Sequence, residues 1–233
     1  STTESDQPGN YSDECDGKLV LLAPDGKQVM LTGQVMTESG DFDYLTVYRG
    51  TTADDENILL EHQYSDDSGT ASSIGSLSAA SMLLYFHSDG GVNNAGLDLT
   101  ATLLNGEYVN PVFYVDANGD EQMANNVTIV TSKTTTMGAA GQTKWYSVNG
   151  NVSIDSRIEL AGTVNLILTD DCRLDANYGM HLPAGNTLNV FTQSTGSGRL
   201  GAWCEDNNAA VGGNGGDDET DGENGGVINI YES

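Results

Sequence analysis

The side chains able to do chemistry in this chain are three histidines, a large set of carboxylates and a few aromatics. His62, His87 and His181 fall on separate strands or strand ends, and none stands in a nucleophile motif such as Gly-x-Ser-x-Gly. Arg157-x-Glu159 and Arg173-x-Asp175 have the i, i+2 spacing that puts each pair on one face of a strand. Lyase chemistry would need such a base beside acids that hold a cation, and hydrolysis would need carboxylates flanking a scissile bond. Ion pairing between neighbouring strands accounts for both pairs equally well. No catalytic residue is assigned, and the chain is not expected to be an enzyme.

Asp116-Ala117-Asn118-Gly119-Asp120-Glu121 imitates the start of a calcium loop. An EF-hand loop needs Gly at its sixth position and a bidentate Glu at its twelfth, where this chain has Glu121 and Val127. Asn118-Gly119 is instead a strong turn signal for a hairpin from Val112-Phe113-Tyr114-Val115 to Glu121-Gln122-Met123. Sugar binding draws on exposed aromatics that stack on ring faces, with amides or carboxylates nearby for the hydroxyls. Trp203, Trp145 and Tyr178 are the candidate ligand-binding residues, with Tyr146, Asn177 and Asn207 close to them in sequence. Trp203, beside Cys204 and a glycine tract, is the one expected to be exposed. Trp145 is expected to cover the open N-terminal end of a stack of strands.

These residues must be positioned by β-structure. In the second half, Val164-Asn165-Leu166, Leu188-Asn189-Val190 and Ile228-Asn229-Ile230 each place Asn between two large aliphatics. Val127-Thr128-Ile129 and Val152-Ser153-Ile154 look like degenerate relatives. Recurring short strands of this kind are too small to bury an apolar face alone and must stack on neighbours. Their unequal intervals suit coils whose strands are fixed while the loops vary. The longest loop is the acidic glycine tract from Gly212 to Gly226. A stack ending at Tyr231 would leave its last coil uncapped, so the native protein is expected to continue.

The first half gives successive strands: Leu19-Val20-Leu21-Leu22, Val29-Met30-Leu31, Tyr44-Leu45-Thr46-Val47-Tyr48, Ile58-Leu59-Leu60, a run from Ser81 to Phe86, and one from Leu97 to Leu103. Turn chemistry separates them, as at Pro24-Asp25-Gly26 and Asp89-Gly90-Gly91. Short strands without a convincing helix indicate a sandwich. A boundary is placed near Asn105, and residues 1 to about 14 are expected to fray.

With 34 acidic residues against 8 basic ones, the chain carries a formal charge of −26. Nucleic acid and anionic lipid are excluded as partners, because both need a basic surface. Hard cations with oxygen ligands are favoured. No apolar run reaches the ~18 residues of a membrane span, so no membrane insertion is expected. The chain opens on polar residues, Ser1 to Asn10, without a basic n-region, as a mature secreted protein or an expressed fragment would. Cys15, Cys172 and Cys204 allow at most one bridge. Stacked coils could pair Cys172 with Cys204 and leave Cys15 over.

Two resemblances refine this. The run from Phe42 to Gly50, containing Phe42-Asp43-Tyr44, with Phe86-His87-Ser88-Asp89-Gly90-Gly91 and Gly96-Leu97-Asp98-Leu99, resembles a CUB domain over residues 15–104. The paired cysteines usual in that family are missing, and Leu97 stands where an aromatic is common. The resemblance implies an extracellular jelly-roll-like sandwich that binds partners and often holds Ca²⁺. Asp43 and Asp89 match the two aspartates of that site. Glu38 is the candidate third ligand, with Asp41 as the alternative, although the family's glutamate lies further upstream.

Residues 108–231 resemble the right-handed β-helix carbohydrate-binding-type domain of surface proteins of gut Firmicutes. The residues that carry the likeness include Lys144-Trp145-Tyr146-Ser147-Val148, Gly150-Asn151-Val152-Ser153-Ile154, Gly185-Asn186-Thr187-Leu188-Asn189-Val190 and Gly196-Ser197-Gly198-Arg199-Leu200. The expected fold is all-β, a CUB-like jelly-roll sandwich (15–104) followed by a short right-handed parallel β-helix (108–233). The expected function is a non-catalytic binding or adhesion fragment of a bacterial surface protein, secreted or cell-wall-anchored and monomeric. Its expected partner is a glycan or a cell-surface glycoprotein, and its expected cofactor is Ca²⁺. The alternatives are an ancillary or degenerate part of a polysaccharide-degrading enzyme, and a spacer.

Overall fold

The computed structural model describes residues 10–65, 70–104, 111–204, 207–216 and 220–231. Among the described residues the regular elements are strands, apart from one 3-10 turn at Asp55–Asn57. The chain divides into two compact units, Ser1–Pro111 and Val112–Ser233. Asn105, the residue at which the sequence suggested a boundary, lies outside the described residues.

The first unit contains β1 (Asp16–Leu22), β2 (Gln28–Met36), β3 (Tyr44–Arg49), β4 (Ile58–Gln63), β5 (Ser72–Ser73), β6 (Leu77–Ala79), β7 (Ser81–His87) and β8 (Gly96–Leu104). They form two antiparallel sheets. One has the order β1-β7-β3-β4; in the other, β2 pairs with β8 and with the short β5 and β6. The turn at Pro24-Asp25-Gly26 does not close a hairpin. β1 pairs with β7 while β2 pairs with β8, so this turn carries the chain from one sheet to the other. Val29, Leu31 and Val35 are buried along β2 with more exposed residues between them, the period-2 pattern of a strand with one covered face. β5 and β6 were not legible in the sequence; at two and three residues they are too short to show any periodicity.

The second unit opens with a hairpin, β9 (Val112–Val115) and β10 (Glu121–Ala124), as expected. Gly119 has φ +84°, and Asp116 Oδ1 accepts the N–H groups of Asn118 and Asp120 at 2.8 and 3.1 Å. That carboxylate closes a turn. The remaining strands are β11 (Thr128–Val130), β12 (Thr136–Val148), β13 (Asn151–Ile154), β14 (Ile158–Leu168), β15 (Arg173–Ala176), β16 (Met180–His181), β17 (Thr187–Thr192), β18 (Arg199–Ala202), β19 (Val211–Gly212) and β20 (Val227–Tyr231).

All pairings among β11–β20 are parallel. Three ladders run across successive coils. The first is β13-β15-β18. The second joins the start of β14 to β16 and β19, and the third joins its end to β17 and β20. β12 and β14 bend between the second and third ladders at Gly138 and Gly162. Both have positive φ, and a Cβ on either would meet a carbonyl oxygen at 2.0–2.2 Å. The arrangement is a solenoid of stacked coils whose core holds Leu166, Val190, Val152, Leu174 and Ile158, all buried.

The Asn-centred strands occupy the third ladder in register: Val164 with Leu188, Asn165 with Asn189 and Asn229, and Leu166 with Val190 and Ile230. The flanking aliphatics of the inner coils point into the core and the asparagines outward. There they form a ladder, Asn189 Nδ2 donating to Asn165 Oδ1 at 2.7 Å and Asn229 Nδ2 to Asn189 Oδ1 at 2.8 Å. The two degenerate relatives do not join it. Val152-Ser153-Ile154 lies in the first ladder, and Ile129 is level with the outward Ser147, so Val127-Thr128-Ile129 has the opposite facing. The corresponding segment of β12 is Lys144-Trp145-Tyr146, with Trp145 level with Asn165.

Candidate cation site and ligand-facing surfaces

Tyr44 and His87 are register partners in β3 and β7, so the residues just outside these strand ends, Asp43 and Asp89, must lie together. Glu38 follows the end of β2 and joins them. One oxygen from each of Glu38, Asp43 and Asp89 lies within 4.8 Å of the others. Asp43 is buried, at 1 % exposure. Its Oδ1 accepts the Asp89 N–H at 2.8 Å and its Oδ2 accepts the Tyr11 hydroxyl proton at 2.5 Å. The Tyr11 oxygen in turn accepts the Glu38 N–H at 3.2 Å. Burial and the repulsion of Asp89 and Asp43 hold the Glu38 carboxyl above its ordinary range. Burial and Asp43 push the Tyr11 phenol up as well.

A cation fits this donor set. Three carboxylates converge, and a Cβ on Gly91 would lie 2.9 Å from Asp89 Oδ1 and 3.3 Å from Glu38 Oε2, so the cradle is shaped by a missing side chain. The cluster can coordinate a metal ion. Asp41 is directed elsewhere, with its carboxylate 2.7 Å from His62 Nδ1. Residues 1–9 lie outside the described residues, but Tyr11 overturns the expectation of fraying for the part of the leader that follows them. Its backbone N–H donates to Asn94 O at 3.2 Å, and its ring meets Phe86 edge-on at 5.1 Å. A lone tyrosine in a polar leader carries no sequence signal for that role.

The histidines are each engaged by carboxylates. His87 Nδ1 lies 2.8 Å from Asp16 Oδ1, not against the adjacent Asp89. His181 sits between two acids, with Nδ1 2.5 Å from Glu159 Oε2 and Nε2 2.6 Å from Glu223 Oε2. Glu159 and His181 are level in β14 and β16, whereas Glu223 comes from the glycine-rich tract. The spacing Arg157-x-Glu159 therefore produces no ion pair. Arg157 Nη1 instead donates to Tyr178 O at 3.1 Å, Ala209 O at 3.2 Å and Cys204 Sγ at 3.2 Å. Arg173-x-Asp175 does pair, with Arg173 Nε 2.8 Å from Asp175 Oδ2.

Cys172 and Cys204 do not bridge; all three cysteines are free. Cys172 points into the core, where burial pushes its thiol up to about 12, while Cys204 lies beside Arg157. Cys172 precedes the start of β15 and Cys204 follows the end of β18, so they lie at opposite ends of the first ladder, too far apart for a disulfide.

The candidate sugar-binding aromatics separate into two groups. Trp145 is on the outer face of the third ladder, not at an open end. It packs against Tyr114 at 4.8 Å and Phe191 at 5.4 Å, beside the hydrophobic cluster that joins the β9–β10 hairpin to Ile167 and Phe191. Tyr146 is buried, its hydroxyl accepting the Gly138 N–H at 2.6 Å. Tyr178 and Trp203 are half exposed, at 49 % and 50 %, and sit at successive corners of the coils just beyond β15 and β18. Arg157 lies against both corners: it donates to Tyr178 O and comes within 3.0 Å of a Cβ built on Gly179, with Trp203 O at 3.2 Å from the same point. Asn177 donates to Ser153 Oγ at 2.9 Å and to Asp155 Oδ1 at 2.7 Å on the same surface. Asn207 Nδ2 donates to Gly216 O at 3.4 Å, within the following loop.

No helix among the described residues is long and apolar enough to cross a membrane. No model of a known protein family matches the chain, and a search of curated proteins gives no match.

Proposed function

We propose that this chain is a non-catalytic binding or adhesion module of a bacterial surface protein, exposed outside the cell and directed at glycans. In this reading the first unit is a CUB-like jelly roll whose Glu38, Asp43 and Asp89 hold Ca²⁺. The second is a right-handed parallel β-helix that presents the ligand-binding surface. The observation that carries the reading is the pair of half-exposed aromatics, Tyr178 and Trp203, beside Arg157 and the amide of Asn177. An aromatic plane bordered by polar groups is what a pyranose ring needs: stacking for its apolar face and hydrogen bonds for its hydroxyls. The rigid stack beneath holds these groups in place without help from the ligand.

A glycan and mucin array tests the proposal. Wild-type protein should give specific signals that Trp203→Ala and Tyr178→Ala remove, while Trp145→Ala alters stability more than binding. An array without signal above background would shift the assignment to a spacer. The enzymatic alternative draws on Glu159, His181 and Glu223, which bring two acids to one imidazole. Both ring nitrogens are engaged there, so the group holds a loop more readily than it exchanges protons with a substrate. Release of reducing ends from a polysaccharide panel, lost in Glu159→Gln, would favour the enzyme.

A further inference from the structure

The first ladder of the second unit has an outward face of unusual charge. Val152, Leu174 and Leu200 point inward, so the alternate residues of β13, β15 and β18 face out. Arg173 is level with Arg199, and Asp175 with Gly201. One step beyond, Asn177 N donates to Ile154 O and Trp203 N to Ala176 O, continuing the ladder past the strand ends. Trp203 turns back over Gly201: a Cβ on Gly201 would fall 2.4 Å from the indole and 3.0 Å from Asp175 Oδ1. Only glycine at 201 lets the indole lie along the sheet, so its outer side is presented as a shelf.

Three of the four arginines in a chain of net charge −26 collect at this face and its corner: Arg157, Arg173 and Arg199. Among the described residues, Asp175 is paired with Arg173, Asp155 is bonded by Asn177, and Glu223 feels the charge of Arg157. None of the three acceptors of Arg157 Nη1 is a carboxylate, and its Nε and Nη2 are buried without a hydrogen-bond partner, so Arg157 adds positive charge beneath the corner while Arg173 and Arg199 face out. At physiological ionic strength charges further than about 8 Å are largely screened. A ligand at this face therefore meets Arg173 and Arg199 more strongly than the distant acids. Because the indole lies over Gly201, two residues from Arg199, the stacking plane and the guanidinium are about 7 Å apart along the strand, within the span of a single sugar ring and its acidic substituent.

We propose that the β13-β15-β18 face binds an anionic saccharide, one bearing a carboxylate or sulfate, with Trp203 stacking on a sugar ring and Arg199 meeting the acidic group. This rests on the glycan reading above and adds the charge class and location of the ligand. Planar guanidinium forks recognise carboxylate and sulfate groups that a neutral sugar lacks.

Isothermal titration calorimetry of the whole chain should compare trigalacturonate, its neutral methyl ester, a sulfated chondroitin tetrasaccharide and neutral galactotriose. Circular dichroism would verify that each variant is folded. The acidic sugars should bind, and the ester and galactotriose should bind roughly tenfold or more weakly, the worth of one charge-assisted contact. Arg199→Gln should weaken the acidic sugars by a similar factor, and Trp203→Ala should remove binding of all. Preference between the uronate and the sulfated sugar identifies which anion is read. Equal binding of neutral and acidic sugars, still dependent on Trp203, would overturn the charge assignment and leave the glycan reading intact. Acidic sugars that bind independently of Arg199 and Trp203 would overturn the location. Failure of every saccharide to bind would overturn the glycan reading itself.

Discussion

His181 Nε2 lies 2.6 Å from Glu223 Oε2, and this contact ties the glycine-rich tract to the stacked coils. The same tract is held by Glu223 N donating to Asn214 O at 2.8 Å, and Asn214 N donating back to Glu223 Oε2 at 3.3 Å. Because Glu159 engages the opposite ring nitrogen, both nitrogens can donate at once only when the imidazole is protonated.

The tract should therefore be held most firmly in mild acid. Burial pushes the His181 pKa down, but its bonds to Glu159 and Glu223 outweigh this and leave it above the ordinary 6.5. A raised folded pKa gives stability that is complete below 6.5 and is lost as pH rises through the folded value. Glu223 is shifted the other way, first by His181 and then by the Asn214 N–H. Its contribution is present above the ordinary 4.5 and is lost as pH falls through its lowered value. Amide exchange at Asn214 and Glu223 should be slowest, after correction for intrinsic rates, between those limits. His181→Gln should flatten that dependence without altering exchange in β14. A dependence that survives the substitution would refute the latch.

Calcium should raise the melting temperature of the first unit. A ligand at a hundred times its dissociation constant adds about 2.7 kcal/mol to the native state. Asp89→Ala should abolish the response. The carboxyl of Glu38, raised by burial and its acidic neighbours, takes up a proton on acidification, so the metal-free protein should gain stability in mild acid. Calcium must displace that proton, and its affinity should fall over the same pH range. Calorimetric melts with Ca²⁺ and with EDTA, at two pH values, measure both effects.

The asparagine ladder should be worth more than its surface position suggests. Asn189 donates to Asn165 and accepts from Asn229, so removing it breaks two hydrogen bonds and leaves two amides without partners. Asn189→Ala should cost ~1–3 kcal/mol. Urea denaturation should show a lower midpoint with an unchanged slope.

Burial along one ladder should separate two aliphatic truncations. Leu166 is fully buried, whereas Ile230 is 65 % exposed. Leu166→Ala should destabilise the second unit by ~2–5 kcal/mol, and Ile230→Ala should cost under about 0.5 kcal/mol. Similar losses at both positions, followed by near-ultraviolet circular dichroism, would mean that the last coil is covered in solution.

The sequence by itself determined that strands form where apolar and polar residues alternate, and it set the sidedness of the inner coils at Val164-Asn165-Leu166 and Leu188-Asn189-Val190. Both announce an inward pair and an outward amide, because a strand has a period of two, whereas Ile228 and Ile230 of the third such strand stay exposed. Asn118-Gly119 announced its hairpin for a comparable local reason, and Asp43 and Asp89 were legible through the motifs at two strand ends. Other features depend on which strands become neighbours. Tyr11 reaches Asp43 across 32 residues, and Glu223 reaches His181 across 42, so no local pattern connects them. The near-identical string Val127-Thr128-Ile129 took the opposite facing because register, set by the pairing of β11 with β12, decides which side is in. Trp145 and Trp203 look alike as sequence candidates, yet one is packed among Tyr114 and Phe191 and the other lies open above Gly201. Local chemistry settles whether a strand forms; packing of distant strands settles what each side chain is left to touch.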